Sequence, residues 1–145
     1  MSISTRVLIN LRNWEEQKSA ILELIRVTKN GGKILLSEAF YEPLVLLNSM
    51  RKLVGLDPLY EHDFNKYIKK KKLEKFLEQN QYTFECKEIS SIYYLGSRFL
   101  RELITDYNSY EGYSNPINKQ FFELEENYTG GGFGIQQIYI INKSE

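Results

Sequence analysis

The sequence holds a single cysteine, Cys86. A lone thiol closes no internal disulfide and builds no cysteine-cluster zinc site. A stapled secreted scaffold and a zinc ribbon are therefore excluded, no metal site is expected, and a reducing, cytoplasmic setting is the simplest expectation. Charge of one sign is lacking as well: 19 Lys and Arg stand against 19 Asp and Glu, a formal net charge of +0. That balance gives no bias toward nucleic acid or an anionic membrane surface, and neither is expected as a partner. No stretch approaches the ~20 apolar residues needed to span a bilayer. The opening Met1-Ser2-Ile3-Ser4-Thr5-Arg6 lacks the apolar core of a secretory signal. There is no internal repeat and no interdomain linker, so residues 1–145 are expected to form one domain.

What is present is a chain able to bury a core, with 42% hydrophobic residues and 11 tyrosines. Asn13 followed by Glu16 has capping-box spacing. Ile21, Leu24, Ile25 and Thr28 then recur on one helical face, and Gly31-Gly32 stops the helix. Lys33-Ile34-Leu35-Leu36-Ser37 follows as an apolar run without alternation, the signature of a strand buried on both faces. Together these make one αβ unit of an α/β sheet. A second helix is predicted from Pro43, with Leu44, Leu47, Met50 and Val54 as its stripe and Gly55 as its end. A loop over Leu56–Tyr67 leads to a third helix opened by Lys69-Lys70-Lys71-Lys72, whose lysines read as a solvated face. Alternation over Phe84–Ile89 predicts a strand that continues through Ser90–Leu95 toward a helix at Ser97–Thr105. A polar loop is expected over Asp106–Ser114 and a short helix from Pro116 to Leu124. Gly130-Gly131-Gly132-Phe133-Gly134 reads as a turn into a last β-branched and aromatic strand ending at Asn142.

Two stretches carry a family resemblance. Ser4–Leu11, the capped helix and Arg26-Val27-Thr28-Lys29-Asn30-Gly31-Gly32-Lys33-Ile34-Leu35-Leu36 resemble the fourth-strand exit, following helix and fifth strand of class I S-adenosylmethionine-dependent methyltransferases. Ser90–Tyr94 through Arg98, with Asn115-Pro116-Ile117-Asn118, resembles the C-terminal portion of a bacterial subgroup. The resemblance covers nearly the whole chain. It implies an α/β fold: a partial Rossmann-like sheet with parallel strands, a C-terminal antiparallel pair and helices on both faces. The last strand should lie beside the fifth. The family's glycine-rich cofactor loop and the acidic residue that holds the ribose find no counterpart here. Gly130–Gly134 does not replace the loop, because it precedes a strand instead of following one into a helix. The expectation is thus the C-terminal part of a methyltransferase domain, inactive alone without the cofactor loop, with the missing strands encoded upstream and an exposed sheet edge that favours poor solubility or marginal stability unless a partner covers it.

The resemblance also implies site residues. Ser4, Thr5 and Arg6 would line the methionine end of S-adenosylmethionine, Arg6 either pairing a carboxylate or lying free on the surface. Glu38, following the fifth strand, would sit at the crevice mouth toward substrate or serve as a surface carboxylate. His62 is the one histidine, on a loop able to cover a substrate; it is read as a catalytic base or as a structural residue. Tyr93, Tyr94 and Arg98 either shape a substrate pocket or pack strand against helix. Cys86, in mid-strand, is expected to be inert. The acceptor is expected to be a small molecule. An N-terminal half or a homologous subunit is the expected partner; the alternative function is a non-catalytic subunit that docks onto a full methyltransferase through the open sheet edge.

Overall fold

The computed structural model of the protein describes residues 1–105 and 112–144. In chain order it contains β1 (Ser2–Thr5), a 3-10 turn (Leu8–Asn10), α1 (Trp14–Val27), β2 (Lys33–Ala39), α2 (Tyr41–Leu53) and α3 (Lys70–Gln79). There follow β3 (Thr83–Ile89), α4 (Ser91–Leu95), a π-helical stretch (Gly96–Leu100), α5 (Arg101–Ile104), α6 (Ile117–Glu125) and β4 (Gln136–Asn142). The chain divides into two compact units. One comprises Met1–Tyr41, Tyr60–Lys87 and the chain from Gln136 onward, and the other Glu42–Leu59 with Glu88–Ile135.

The first unit holds a mixed α/β sheet in the order β1-β2-β4-β3. β1 runs parallel to β2, from Ser2 opposite Ile34 to Thr5 opposite Ser37. β4 is antiparallel to β2, from Lys33 opposite Asn142 to Ala39 opposite Gln136. β3 flanks β4. Asn142 Nδ2 lies 3.1 Å from Thr83 Oγ1, and Cys86 Sγ lies 3.4 Å from Gln137 Oε1. These contacts climb one strand while descending the other, as in an antiparallel pair. Successive side chains alternate faces, so Ile34 and Leu36 of β2 share a face with Tyr139 and Ile141 of β4. Against that face pack Ile21 and Ile25 of α1 and Leu73 and Leu77 of α3. Full burial of each such side chain stabilises by about 1.5–3 kcal/mol. Helices were expected on both faces, but in this unit α1 and α3 gather on one, because both apolar stripes meet the same row of side chains. Leu35, Ile138 and Ile140 on the opposite face are half-buried.

The start of α1 follows its sequence signal with one change. Asn13 Oδ1 accepts the Glu16 amide at 3.0 Å, whereas Glu16 Oε2 reaches past the cap to the amide of Arg12, also at 3.0 Å. After α1 the chain turns at Gly31 with φ 69°, and a Cβ on Gly32 would stand 2.7 Å from the carbonyl oxygen of Lys29. Both glycines are therefore required for the tight reversal into β2.

α2 begins at Tyr41, two residues before the predicted Pro43, whose missing amide falls harmlessly in the first turn. The strand expected to continue through Leu95 instead stops at Ile89. Ser90 takes a left-handed conformation, φ 58°, and helical structure runs from Ser91 to Ile104. The reason lies elsewhere in the chain. The Glu125 carboxylate accepts the amides of Ser91 at 3.0 Å and Tyr93 at 2.9 Å, filling the role of a cap at the start of α4. Gly96 lies against α6, where an added Cβ would come 2.2 Å from Phe121 Cγ. Of the loop expected over 106–114, residues 106–111 lie outside the described residues and Gly112–Ser114 form a turn.

Candidate functional site

β1 and β2 run in parallel, so their C-terminal ends emerge together, the place where open α/β sheets receive ligands. β2 extends to Ala39 because its ladder with β4 continues that far. Glu38 is therefore inside the strand and fully buried, not beyond it at a crevice mouth as expected. Its Oε1 accepts three donors: the Ser4 hydroxyl at 2.9 Å and the amides of Val7 at 3.1 Å and Leu8 at 3.2 Å. Those bonds meet the requirement that a buried carboxyl be satisfied, although Oε2, also buried, has no hydrogen-bond partner. Ser4 is itself buried, while Thr5 and Arg6 are exposed. Arg6 turns the chain with φ 53°. Its amide donates to Ser37 O at 2.9 Å and its guanidinium to Gln136 Oε1 at 3.2 Å. Glu38 thus fixes the first residues after β1 onto the end of β2.

Beside these strand ends lies a cleft of about 310 Å³. Arg12, Asn13 and Trp14 approach it from the start of α1, Tyr41 from the residues after β2, and Glu61, Lys66, Tyr67 and Lys69 from the loop leading into α3, with Lys72 from the first turn of α3. Gln17, almost fully buried, ties the loop down by donating to Lys66 O at 2.7 Å and Leu8 O at 3.3 Å. The Lys66 amide donates to Ile9 O at 2.6 Å, and Tyr41 and Ile68 continue the docking through Tyr41 N to Ile68 O and Ile68 N to Ala39 O, each 3.0 Å. Lys69 Nζ stands 5.3 Å from the centroid of the Tyr41 ring, a cation–π approach. Arg12 pairs with Glu16 at 2.6 Å; the Arg12 amide and guanidinium hold the Glu16 carboxyl below its usual range. The lining comes from separated segments, so no contiguous motif announces it.

His62 projects on the same loop but is exposed, its ring stacked on Phe64 at 5.6 Å and 7°. Glu61 and Lys66, not His62, form the cleft wall. Tyr93, Tyr94 and Arg98 belong to the second unit. Tyr93 and Tyr94 are half-buried in α4, and the Arg98 guanidinium lies 4.1 Å from the centroid of Tyr113. Ser4, Thr5, Arg6 and Glu38 are thus brought together at the strand ends, and Tyr93, Tyr94 and Arg98 share one helical stretch.

Sequence reasoning missed a buried ionic cluster in the second unit. Arg51 makes a bidentate pair with Glu102, both bonds 3.0 Å, and donates to Asp57 O at 2.6 Å and to Arg98 O. Arg101 adds a 3.2 Å bond to the same carboxylate. The i and i+3 placement of Arg98 and Arg101 was visible, but Arg51 comes from another helix. Among the described residues, no group of three or more His, Cys, Asp or Glu is placed to hold a metal ion, and no helix is long and apolar enough to cross a membrane. No protein-family model matches the chain, and no curated protein matches it.

Proposed function

We propose that the protein takes part in methyl transfer from S-adenosylmethionine to a small-molecule acceptor in the cytoplasm, as the part of a Rossmann-like methyltransferase domain from the fourth strand onward. The observation that carries this reading is the strand order. A parallel pair joined through α1 is followed by the last strand inserted antiparallel beside β2, with β3 outside it. That is the order expected for the fourth, fifth, last and next-to-last strands of the family that Ser4–Leu36 resembles.

S-adenosylmethionine supplies a methyl group on a sulfonium, and transfer requires the acceptor atom to be held in line with it. The residues at the strand ends suit one wall of such a site. Thr5 and Arg6 are exposed there, and Arg6 offers a guanidinium to a carboxylate. Ser4 and Glu38 are buried, so in this reading they hold the wall in shape instead of touching the donor. An acceptor that must lose a proton needs a base, and His62 is the residue proposed for that role. Calorimetric titration with S-adenosylmethionine into the millimolar range tests the reading. It predicts weak, saturable binding that Arg6→Ala weakens further.

A second reading has a specific observation in its favour. β1 is an edge strand and carries exposed apolar residues, with Ile3 57% and the following Val7 56% accessible. A non-catalytic subunit docking through that edge would present such a strand. Saturable binding indifferent to Arg6→Ala contradicts the enzymatic reading and favours this one.

A further inference from the structure

We propose that the cleft between the start of α1 and the loop before α3 is a binding site for a phosphate monoester carried on an aromatic group. Three of its lining residues, Lys66, Lys69 and Lys72, have no ion-pair partner among the described residues, whereas Arg12 is neutralised by Glu16. The opposing carboxylate in the lining is Glu61, which already accepts the Tyr67 amide. Three ammonium groups against one carboxylate leave two positive charges in excess, which matches a phosphate monoester near its fully ionised form. The 14-residue helix α1 begins in the same wall, adding the positive end of its dipole. Lysine binds phosphate as a point charge and needs no fixed fork geometry, so flexible ammonium groups around a cleft suffice.

The rings select the rest of the ligand. Tyr41 and Trp14 are half-buried in the wall. Trp14 is held edge-on by Phe76, with centroids 6.2 Å apart and planes at 78°. A cleft of about 310 Å³ lies at the small end of ligand sites, enough for one ring and its phosphate. The loop that carries Lys66 is fastened by Gln17, so this wall exists before any ligand arrives. The inference concerns binding alone and stands independently of methyl transfer.

Titration of the full chain with phenyl phosphate at low salt, compared with benzoate and inorganic phosphate, tests it. Phenyl phosphate is expected to saturate with a dissociation constant below about 1 mM, and both comparators are expected to bind at least about tenfold more weakly, lacking either the second charge or the ring. Lys66→Ala and Lys69→Ala should each weaken binding severalfold. Lys33→Ala, at the opposite end of β2, should leave it unchanged. Tyr41→Leu should weaken phenyl phosphate but not inorganic phosphate. No saturation, equal affinity for benzoate, inorganic phosphate as tight as the aryl ester, or equal loss with Lys33→Ala would each overturn the proposal.

Discussion

Glu38 is a carboxyl group without solvent access, and one of its oxygens organises the chain leaving β1. Removing it strands the Ser4 hydroxyl and the amides of Val7 and Leu8. The Ser4 hydroxyl and the Leu8 amide are buried donors, and each one left unsatisfied costs about 1–3 kcal/mol, so Glu38→Ala is expected to lower unfolding stability by at least about 2 kcal/mol in urea titration. Glu38→Gln keeps an accepting oxygen and should cost far less. A loss for Glu38→Ala within the roughly 0.5 kcal/mol of an ordinary surface change would contradict this account. The burial of Glu38 was half-legible in the sequence: Ile34, Leu36 and Glu38 share one strand face by alternation. Its polar type pointed instead to the strand's end. Tyr139 shows a second residue-scale effect. Burial, then the neighbouring Cys86 thiol and Glu74 carboxylate, push its hydroxyl well above the ordinary tyrosine range. A pKa raised in the folded state gives stability that is fully present below the unfolded value of ~10 and is lost as pH rises beyond it. Titration of phenolate absorbance should therefore leave one tyrosine un-ionised until alkaline unfolding sets in. Reversible ionisation of every tyrosine in a chain with native circular dichroism would contradict this.

α1, β2, α3 and β4 were readable as elements because each carries its own local signal. For α1 that signal is the Asn13 cap, the Ile21 and Ile25 stripe and the Gly31-Gly32 stop. The helical run from Ser91 was not readable, since its start depends on Glu125, more than 30 positions away in the chain. Local composition at Ser90–Leu95 suits a strand as well as a helix, and the distant carboxylate decides between them. The Arg51–Glu102–Arg101 cluster is hidden for the same reason, being assembled from α2 and α5. Glu102→Ala leaves two buried guanidinium groups without their shared carboxylate. It should cost about 3–5 kcal/mol, and a double-mutant cycle with Arg51→Met should show that the two losses are not additive. Independent, additive effects would remove the cluster from the account of this unit's stability.

The strand order of the sheet was legible through the resemblance, and periodicity alone would not have given it. The cleft was invisible to both, because its wall is drawn from the β1–α1 connection, Tyr41 and the loop before α3. An edge at β1, with Ile3 and Val7 exposed, also predicts concentration-dependent self-association in sedimentation, and Ile3→Lys should reduce it. A monomer at all concentrations would weaken the case that this edge is normally covered. In the proposed reading the ends of β1 and β2 form one wall of a methyl-donor site. An amide-resolved NMR titration with S-adenosylmethionine tests it most directly. Saturating shifts are expected at Thr5, Arg6 and Val7 and at the end of β2. Unmoved amides there, or shifts confined to other parts of the chain, would contradict it.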